Sequence, residues 1–271
     1  MTVTAPRLIA RFESGAGRSE MDDVAVEEPL EIRVAQDPLL VTMRTPGADR
    51  ELTLGWLKSE GIVESAADVA SIAHCGRPTD EGYGNVVDVL PAPGVVLDLE
   101  RMRGSERAIV GTSACGTCGR RSIDDLMARI ADRAPEGTLS RAVLEGVPEQ
   151  LRALQPAFAR TGGLHGAAAF DAGGEVLGSA EDVGRHNAVD KVIGAAMIHG
   201  RLDRARILAV SGRVSFEIVQ KAATAGLYAI VAVGAPTTLA IDLAGRAGIT
   251  LLGFVRRERF NAYTHAARIE D

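Results

Sequence analysis

The fold is decided by one stretch of sequence, residues 206–255, which reads RILAVSGRVSFEIVQKAATAGLYAIVAVGAPTTLAIDLAGRAGITLLGFV. It contains three short apolar runs, at 206–210, 228–233 and 250–255. Two segments with helical spacing separate these runs, at 215–225 and 236–247, and the second has a proline at its start. Apolar runs that alternate with helical segments predict parallel strands joined by crossover helices.

The residues before this stretch predict more of the same sheet. Two further strands are expected at 164–170 and 175–179, joined by Asp171-Ala-Gly-Gly, and this turn favours an antiparallel hairpin. An amphipathic helix is expected at 185–199. The C-terminal half is therefore predicted to be a three-layer α/β sandwich with a partly parallel sheet, in an order that resembles the deaminase fold.

The first hundred residues predict a smaller, β-rich domain. The expected strands are 30–35, 39–44, 85–90 and 94–99, with a turn at Gln36-Asp37-Pro38 and a short helix over 51–61 that ends at Gly61. A later helix is expected after Ser122, which resembles an N-cap. We divide the chain into an N-terminal tail (1–25), a β-rich domain (26–110), a glycine-rich loop (111–121) and an α/β domain (122–271).

Composition excludes several classes of protein. The 271 residues carry 30 basic and 36 acidic side chains, for a net charge of −6, so no general basic field is available for nucleic acid. No uncharged apolar run reaches the roughly 18 residues of a membrane helix, and the first residues lack a secretory signal. We expect a soluble, cytoplasmic protein that binds neither nucleic acid nor membrane.

The sharpest local feature is the glycine-rich loop GTSACGTCG at 111–119, which contains Cys115 and Cys118. Neighbouring arginines and the start of a predicted helix favour the thiolate form of both cysteines. A Cys-x-x-Cys pair alone is compatible with half of a zinc site or with thiol chemistry. Zinc needs four ligands, and His74-Cys75 is the single further candidate pair. Deaminase chemistry is disfavoured because the glutamate that should follow the histidine is missing.

Polar side chains also follow several predicted strands. The segment EDVGRHNAVDK at 181–191 surrounds the start of a helix, where backbone N–H groups bind anions, and Arg185 and Lys191 would add positive charge. SGRVS at 211–215 and GAPTT at 234–238 occupy equivalent places after the next two strands. In open α/β sheets ligands bind at the carboxyl ends of strands, so these loops suit a nucleotide phosphate. The 181–191 segment is also compatible with a capped surface helix held by salt bridges, and neither of the other two loops matches a P-loop or GxGxxG motif.

Taken together, these segments resemble the formate dehydrogenase accessory protein family, FdhD. The resemblance extends from about Leu30 to Thr264 and rests on six blocks: TSACGTCG, GGLHGAAAF, EDVGRHNAVDKVIG, SGRVSFEIVQKA, GAPTTLA and GFVRRERFNAYT.

The resemblance implies a sulfurtransferase that works through a cysteine persulfide. Members of the family take sulfur from a cysteine desulfurase and pass it to the molybdenum cofactor, bis-molybdopterin guanine dinucleotide, before its insertion into formate dehydrogenase. Cys115 would bear the persulfide and Cys118 would assist. The resemblance also implies a homodimer and a deaminase-like fold without its zinc site.

The family's cofactor-binding stretch corresponds to 254–259, and the strand-end loops supply further candidates. The complete set of expected cofactor-binding residues is Phe254, Val255, Arg256, Arg257, Glu258, Arg259, Ser211, Gly212, Arg213, Arg185 and His186. We expect no resident metal. Three alternatives stay open: a zinc-binding protein of the same fold, a thiol oxidoreductase, and a cofactor chaperone that does not use its cysteines.

Overall fold

A computed structural model describes residues 2–77, 79–80, 82–99 and 130–271. Cys115, Cys118 and the helix expected after Ser122 lie outside the described residues.

In its described residues, the N-terminal half contains an antiparallel two-stranded sheet, a mixed four-stranded sheet and one helix. Its elements are β1 (Thr4–Glu13), β2 (Ala16–Ala25), β3 (Glu28–Val34), β4 (Asp37–Arg44), α1 (Asp49–Ser59), a 3₁₀ turn (Ala66–Asp68), β5 (Val69–His74) and β6 (Val86–Pro91). Strands β1 and β2 form an antiparallel hairpin, where the sequence predicted a tail. The other four strands form a sheet in the order β4-β3-β6-β5.

Two expectations for this half are wrong in detail. The turn between β3 and β4 is Ala35-Gln36, with φ of 49° and 73°, and Asp37 already pairs with Val34. Positive φ at both central residues gives the twist that a two-residue hairpin needs, although neither residue is glycine. Residues 94–99 form no strand, and Val96 there is 93% exposed. Leu97 and Leu99 are partly buried against the main core, so the apolar residues of this segment reflect the packing of a loop.

The C-terminal half follows the predicted α/β alternation. Its elements are β7 (Leu139–Ser140), α2 (Arg141–Ala153), α3 (Pro156–Thr161), β8 (His165–Phe170), β9 (Val176–Asp182), α4 (Arg185–Ile198), a 3₁₀ turn (Leu202–Arg204), β10 (Ile207–Val210), α5 (Phe216–Thr224), β11 (Ala229–Ala232), α6 (Thr238–Arg246), β12 (Thr250–Arg256), β13 (Arg259–Ala262), a 3₁₀ turn (Ala266–Arg268) and β14 (Ile269–Glu270). Helix α6 begins after Pro236, because the Thr237 side chain accepts a hydrogen bond from Ala240 N.

The main sheet has six strands in the order β13-β12-β11-β10-β8-β9. Strands β10, β11 and β12 are parallel, and the remaining neighbours are antiparallel. One apolar core joins a face of this sheet to α1, α4, α5, α6 and the N-terminal four-stranded sheet. A second core lies on the opposite face, where Leu144, Val147 and Leu151 of α2 pack. Because both faces are covered, the predicted mixed α/β architecture is confirmed.

Helices α1 and α4 approach each other unusually closely. A Cβ atom built on Gly55 would lie 1.9 Å from the carbonyl oxygen of Asp190, and one on Gly194 would lie 1.9 Å from that of Glu51. Only glycine is compatible with this contact between two backbones. The contact seats the N-terminal half directly on the helix that follows β9. In the described ranges, no helix has the length and apolar character needed to cross a membrane.

Candidate functional site

The expected binding loops converge on one edge of the main sheet. The parallel strands β10, β11 and β12 end there, and β8 begins there because it runs antiparallel to β10. Strand β9 ends at the same edge, one step before α4. We call this edge the strand-end surface and define it by His165, 182–186, 211–215, 234–238 and 254–259. This definition includes all of the residues that the sequence predicts to bind the cofactor.

The 181–191 segment divides into two groups of side chains, and the first group is structural. The fully buried carboxylate of Asp182 accepts hydrogen bonds through Oδ1 from Gly184 N (2.7 Å) and through Oδ2 from Thr45 N (3.1 Å). Lys191 Nζ lies 2.7 Å from Asp182 Oδ2 and donates to Thr45 O at 2.8 Å. Asn187 Nδ2 donates to Met43 O at 2.7 Å. These contacts attach the end of β4 to α4.

Lys191 therefore does not supply charge to a ligand, contrary to the expectation from sequence. Its side chain is only 3% exposed, and its charge is opposed by Asp182. A second buried pair lies on the same helix, where Asp190 accepts hydrogen bonds from Lys221 Nζ and Ser59 Oγ, all at 2.8 Å. Both pairs satisfy groups that would otherwise be buried without a partner.

Glu181 also has a structural contact. Its carboxylate accepts hydrogen bonds from Ala157 N at 2.9 Å and Phe158 N at 2.6 Å, which are free N–H groups at the start of α3.

Arg185 and His186 form the second group, which faces the strand-end surface. Both lie in the first turn of α4 and are partly exposed. His186 Nε2 lies 3.1 Å from Ser215 Oγ and 2.9 Å from Glu217 Oε2. Because both partners meet the same ring nitrogen, the arrangement fixes the imidazole across α4 and α5 but does not form a Ser-His-acid triad.

The 211–215 loop is fixed by its backbone and by one hydroxyl. Ser211 N donates to Gly166 O, and Ser211 Oγ accepts from Gly166 N, both at 2.9 Å. A Cβ on Gly234 would lie 2.8 Å from Gly212 O, so this loop and the next one pack backbone against backbone. Arg213 is exposed at the centre of the loop. The loop thus presents an arginine on a rigid support.

His165, at the start of β8, is a member of this surface that sequence reasoning did not single out. A Cβ on Gly212 would lie 3.4 Å from His165 Nδ1, so the glycine leaves room beside the ring. Burial and the nearby Arg185, His186 and Arg213 lower the pKa of His165 below its ordinary value of 6.5, against an opposite effect of Asp182. The available signal was a histidine at the start of a strand in one of the recognised blocks.

The 254–259 segment is irregular at Phe254. This residue has a φ of 54° and an aromatic side chain that is 46% exposed, at a register shift in the β12–β13 pairing. Phe254 N donates to Gly234 O at 3.1 Å, which holds the strained backbone in place. Bulges and left-handed aromatic residues of this kind cluster at functional sites.

The other residues of the 254–259 segment differ in which of their groups face the strand-end surface. Val255 has a fully buried side chain in the second core, so only its backbone faces the surface. Arg256 Nη1 donates to Val233 O (3.0 Å) and Val255 O (2.9 Å). Arg257, Glu258 and Arg259 are exposed around the two-residue turn that follows. The segment thus contributes one aromatic ring and several guanidinium groups.

The described residues do not bring together a group of three or more metal-ligating side chains. His74 Nε2 instead lies 3.5 Å from Asp49 Oδ2, and Asp49 also pairs with the fully buried Arg44. Cys75 is a free, partly buried thiol next to them.

Comparison with known proteins places this geometry in a family. Residues 25–270 match the model of the FdhD/NarQ family. The chain is 53% identical over 260 residues to the sulfur carrier protein FdhD of Anaeromyxobacter sp. (strain K), which covers 93% of this chain and 90% of that protein. It is 45% identical over 273 residues to the protein of the same name from Streptomyces avermitilis, covering 98% and 96%.

The fold is also found in a solved structure. The crystal structure of a formate dehydrogenase accessory protein from Desulfotalea psychrophila superposes with a TM-score of 0.75 at 22% identity, covering 99% of this chain and 100% of the other. The order of the elements, the recognised blocks and these matches agree. The chain belongs to the FdhD/NarQ family.

Proposed function

We propose that this protein is a sulfurtransferase that carries sulfur to the molybdenum cofactor during the maturation of formate dehydrogenase. The proposal is supported by the name that the curated relatives share and by the strand-end surface. One observation supports cofactor binding. Three arginines, Arg185, Arg213 and Arg256, lie at the same edge of the sheet as the N-termini of α4, α5 and α6. Guanidinium groups beside helix N-termini suit a diphosphate.

In the first proposed step, the Cys115 thiolate attacks the outer sulfur of a persulfide on a cysteine desulfurase. The sulfur–sulfur bond of the donor breaks, the donor's cysteine leaves as a thiolate, and a persulfide forms on Cys115. Charge and sulfur atoms are conserved in this step, and no further reactant is needed.

In the second step, the Cys118 thiolate attacks the inner sulfur of the Cys115 persulfide. A Cys115–Cys118 disulfide forms, and the outer sulfur leaves as sulfide, which is delivered to the bound cofactor. Oxidation of the two cysteines to the disulfide supplies the two electrons that reduce this sulfur. A cellular thiol then reduces the disulfide and restores the two cysteines.

The substrate in this scheme is bis-molybdopterin guanine dinucleotide. Phe254 would stack on a flat ring of the ligand, while Arg213 and Arg185 would bind its phosphates. The catalytic subunit of formate dehydrogenase is the expected recipient. A homodimer and a cytoplasmic location stay predictions.

The deciding experiment is intact-protein mass spectrometry after incubation with a cysteine desulfurase and free cysteine. We expect one added sulfur on the wild type that a thiol removes, none on Cys115→Ala, and a persistent adduct on Cys118→Ala. Cys75→Ala is the matched control and should load normally, because Cys75 lies outside the 111–119 Cys-x-x-Cys loop that is proposed to carry the sulfur. A wild type that never gains sulfur would favour a cofactor chaperone instead.

A further inference from the structure

His165 stands out among the groups on the strand-end surface because positively charged groups outnumber negatively charged ones around it. Arg185 and His186 of α4 and Arg213 of the 211–215 loop all act on it electrostatically. The opposing carboxylate is Asp182 at the end of β9, and its charge is already met by Lys191. Glu217 of α5 faces His186. The histidine therefore lies in a net positive environment.

The ring is also placed to meet a ligand. In the described part of the chain, neither of its nitrogens forms a hydrogen bond to another residue, although the ring is half buried. Gly212 has no side chain to fill the space beside Nδ1. An anion that binds to Arg185 and Arg213 would come within reach of this imidazole.

We propose that His165 takes up a proton from solvent when the phosphate groups of a diphosphate ligand bind at the strand-end surface. This inference rests on the proposed binding of a guanine dinucleotide cofactor there. The bound negative charge offsets Arg185 and Arg213, and the protonated ring then donates a charge-assisted hydrogen bond to a phosphate oxygen.

The sign of the effect follows from linkage. In the empty protein the pKa of His165 lies below 6.5, so the ring is neutral at about pH 7. Bound phosphate favours the charged form and raises the pKa. Affinity therefore increases as the pH falls through the pKa of the complex, by up to about tenfold per pH unit, and levels off below the pKa of the free protein.

The test is isothermal titration calorimetry with GDP-mannose as the probe. This diphosphate diester lacks the second phosphate ionisation near pH 6, so the ligand itself does not titrate. Measurement at about pH 7 in two buffers of different ionisation enthalpy gives the number of protons taken up. The proteins to compare are the wild type, His165→Asn, His186→Asn and the exposed control His199→Asn.

We expect uptake of a substantial fraction of one proton by the wild type and by His199→Asn, and loss of most of it in His165→Asn. The dissociation constant of His165→Asn should also become nearly independent of pH. Uptake that persists in His165→Asn but disappears in His186→Asn would overturn the assignment. Binding without uptake would overturn the inference and leave the proposed function intact. Absence of binding would overturn both the ligand site and the inference, while sulfur loading is decided separately by mass spectrometry.

Discussion

Gly55 of α1 and Gly194 of α4 form a direct backbone contact between the two halves of the chain. A Cβ on either residue would lie 1.9 Å from a backbone carbonyl oxygen of the opposite helix. The same turn of α4 contains Asp190 and Lys191, whose ion pairs reach α5 and β9. The glycine contact therefore determines where α4 lies, and α4 in turn positions Arg185 and His186.

Replacement of Gly194 by alanine should destabilise the protein strongly. The new methyl group meets backbone rather than a movable side chain, so we expect a loss of more than about 3 kcal/mol in the free energy of unfolding, measured in urea. Gly146→Ala is the matched control. That glycine lies inside α2, where among the described residues a new Cβ would meet only Gln150 Nε2, at 3.8 Å, and alanine there should stabilise by about 0.5–1 kcal/mol. Equal effects at the two positions would contradict the helix contact.

Replacement of Lys191 by methionine should leave Asp182 buried without its cation. Breaking one partner of a buried pair costs about 3–5 kcal/mol, and we expect a loss of that size in urea unfolding. Arg201→Met removes a charge from an exposed position just beyond the same helix and should change stability by less than about 0.5 kcal/mol. A small effect of Lys191→Met would instead indicate that this lysine is available to a ligand.

Replacement of Phe254 by glycine should weaken ligand binding without lowering the stability of the protein. Glycine adopts a φ of 54° without strain, so the free energy of unfolding should stay level or rise by about 1 kcal/mol, although an aromatic ring is lost. Affinity for GDP-mannose should fall, because the ring no longer stacks on the ligand. Ala35→Gly, at a φ of 49° in the β3–β4 turn, should stabilise similarly and bind normally. If the affinity of Phe254→Gly for GDP-mannose is unchanged, Phe254 does not contribute to ligand binding.

Replacement of Arg213 by glutamine should weaken the binding of GDP-mannose without affecting folding. Charge-assisted hydrogen bonds contribute about 1.5–3 kcal/mol, which corresponds to a loss of roughly tenfold to a hundredfold in affinity. The salt dependence of binding should also become less steep. Arg201→Gln, which lies beyond the C-terminal end of α4, is expected to bind as the wild type does. Calorimetric titrations at two salt concentrations measure both effects.

Replacement of Asp171 by alanine should reduce stability in a pH-dependent way. Hydrogen bonds from the backbone of Glu175 and Gly173, and the nearby Arg204, lower the pKa of Asp171 below its ordinary value of 3.8. The stabilisation is therefore complete above 3.8 and is lost as the pH falls through the lower, folded-state value. We expect a cost of about 1–2 kcal/mol near pH 7 that diminishes in acid. Asp203→Ala, nearby and exposed, should show neither effect.

Much of the C-terminal sheet could be predicted from sequence because its strands are continuous apolar runs between helices. The hairpin of β8 and β9 and the β10–β12 alternation were expected, and the structure confirms them. The β1–β2 hairpin was missed because it alternates charged and apolar residues on exposed faces, with Leu8 and Phe12 more than 70% exposed. A two-stranded ribbon buries too little surface to leave a strong hydrophobic pattern.

The position of the candidate surface in the fold was predictable, but the contacts that its individual side chains make were not. Strand ends and helix starts can be located from the sequence, so the convergence of the loops was expected. Whether a charged residue in the 181–191 segment faces solvent or the protein interior depends on distant partners such as Thr45 and Lys221. His165 was missed for the same reason, since its charged neighbours come from three separate segments, β9, α4 and the 211–215 loop.

The contact between Asp182 and Thr45 has a consequence for biosynthesis. The two residues are 137 positions apart, and Asn187 is 144 positions from Met43. Contacts of such separation form late, and a ribosome completes the N-terminal sheet long before α4 exists. During that interval the face of α1 around Gly55 has no helix to cover it. The nascent chain therefore carries an unpartnered apolar face until residues 185–198 have been synthesised.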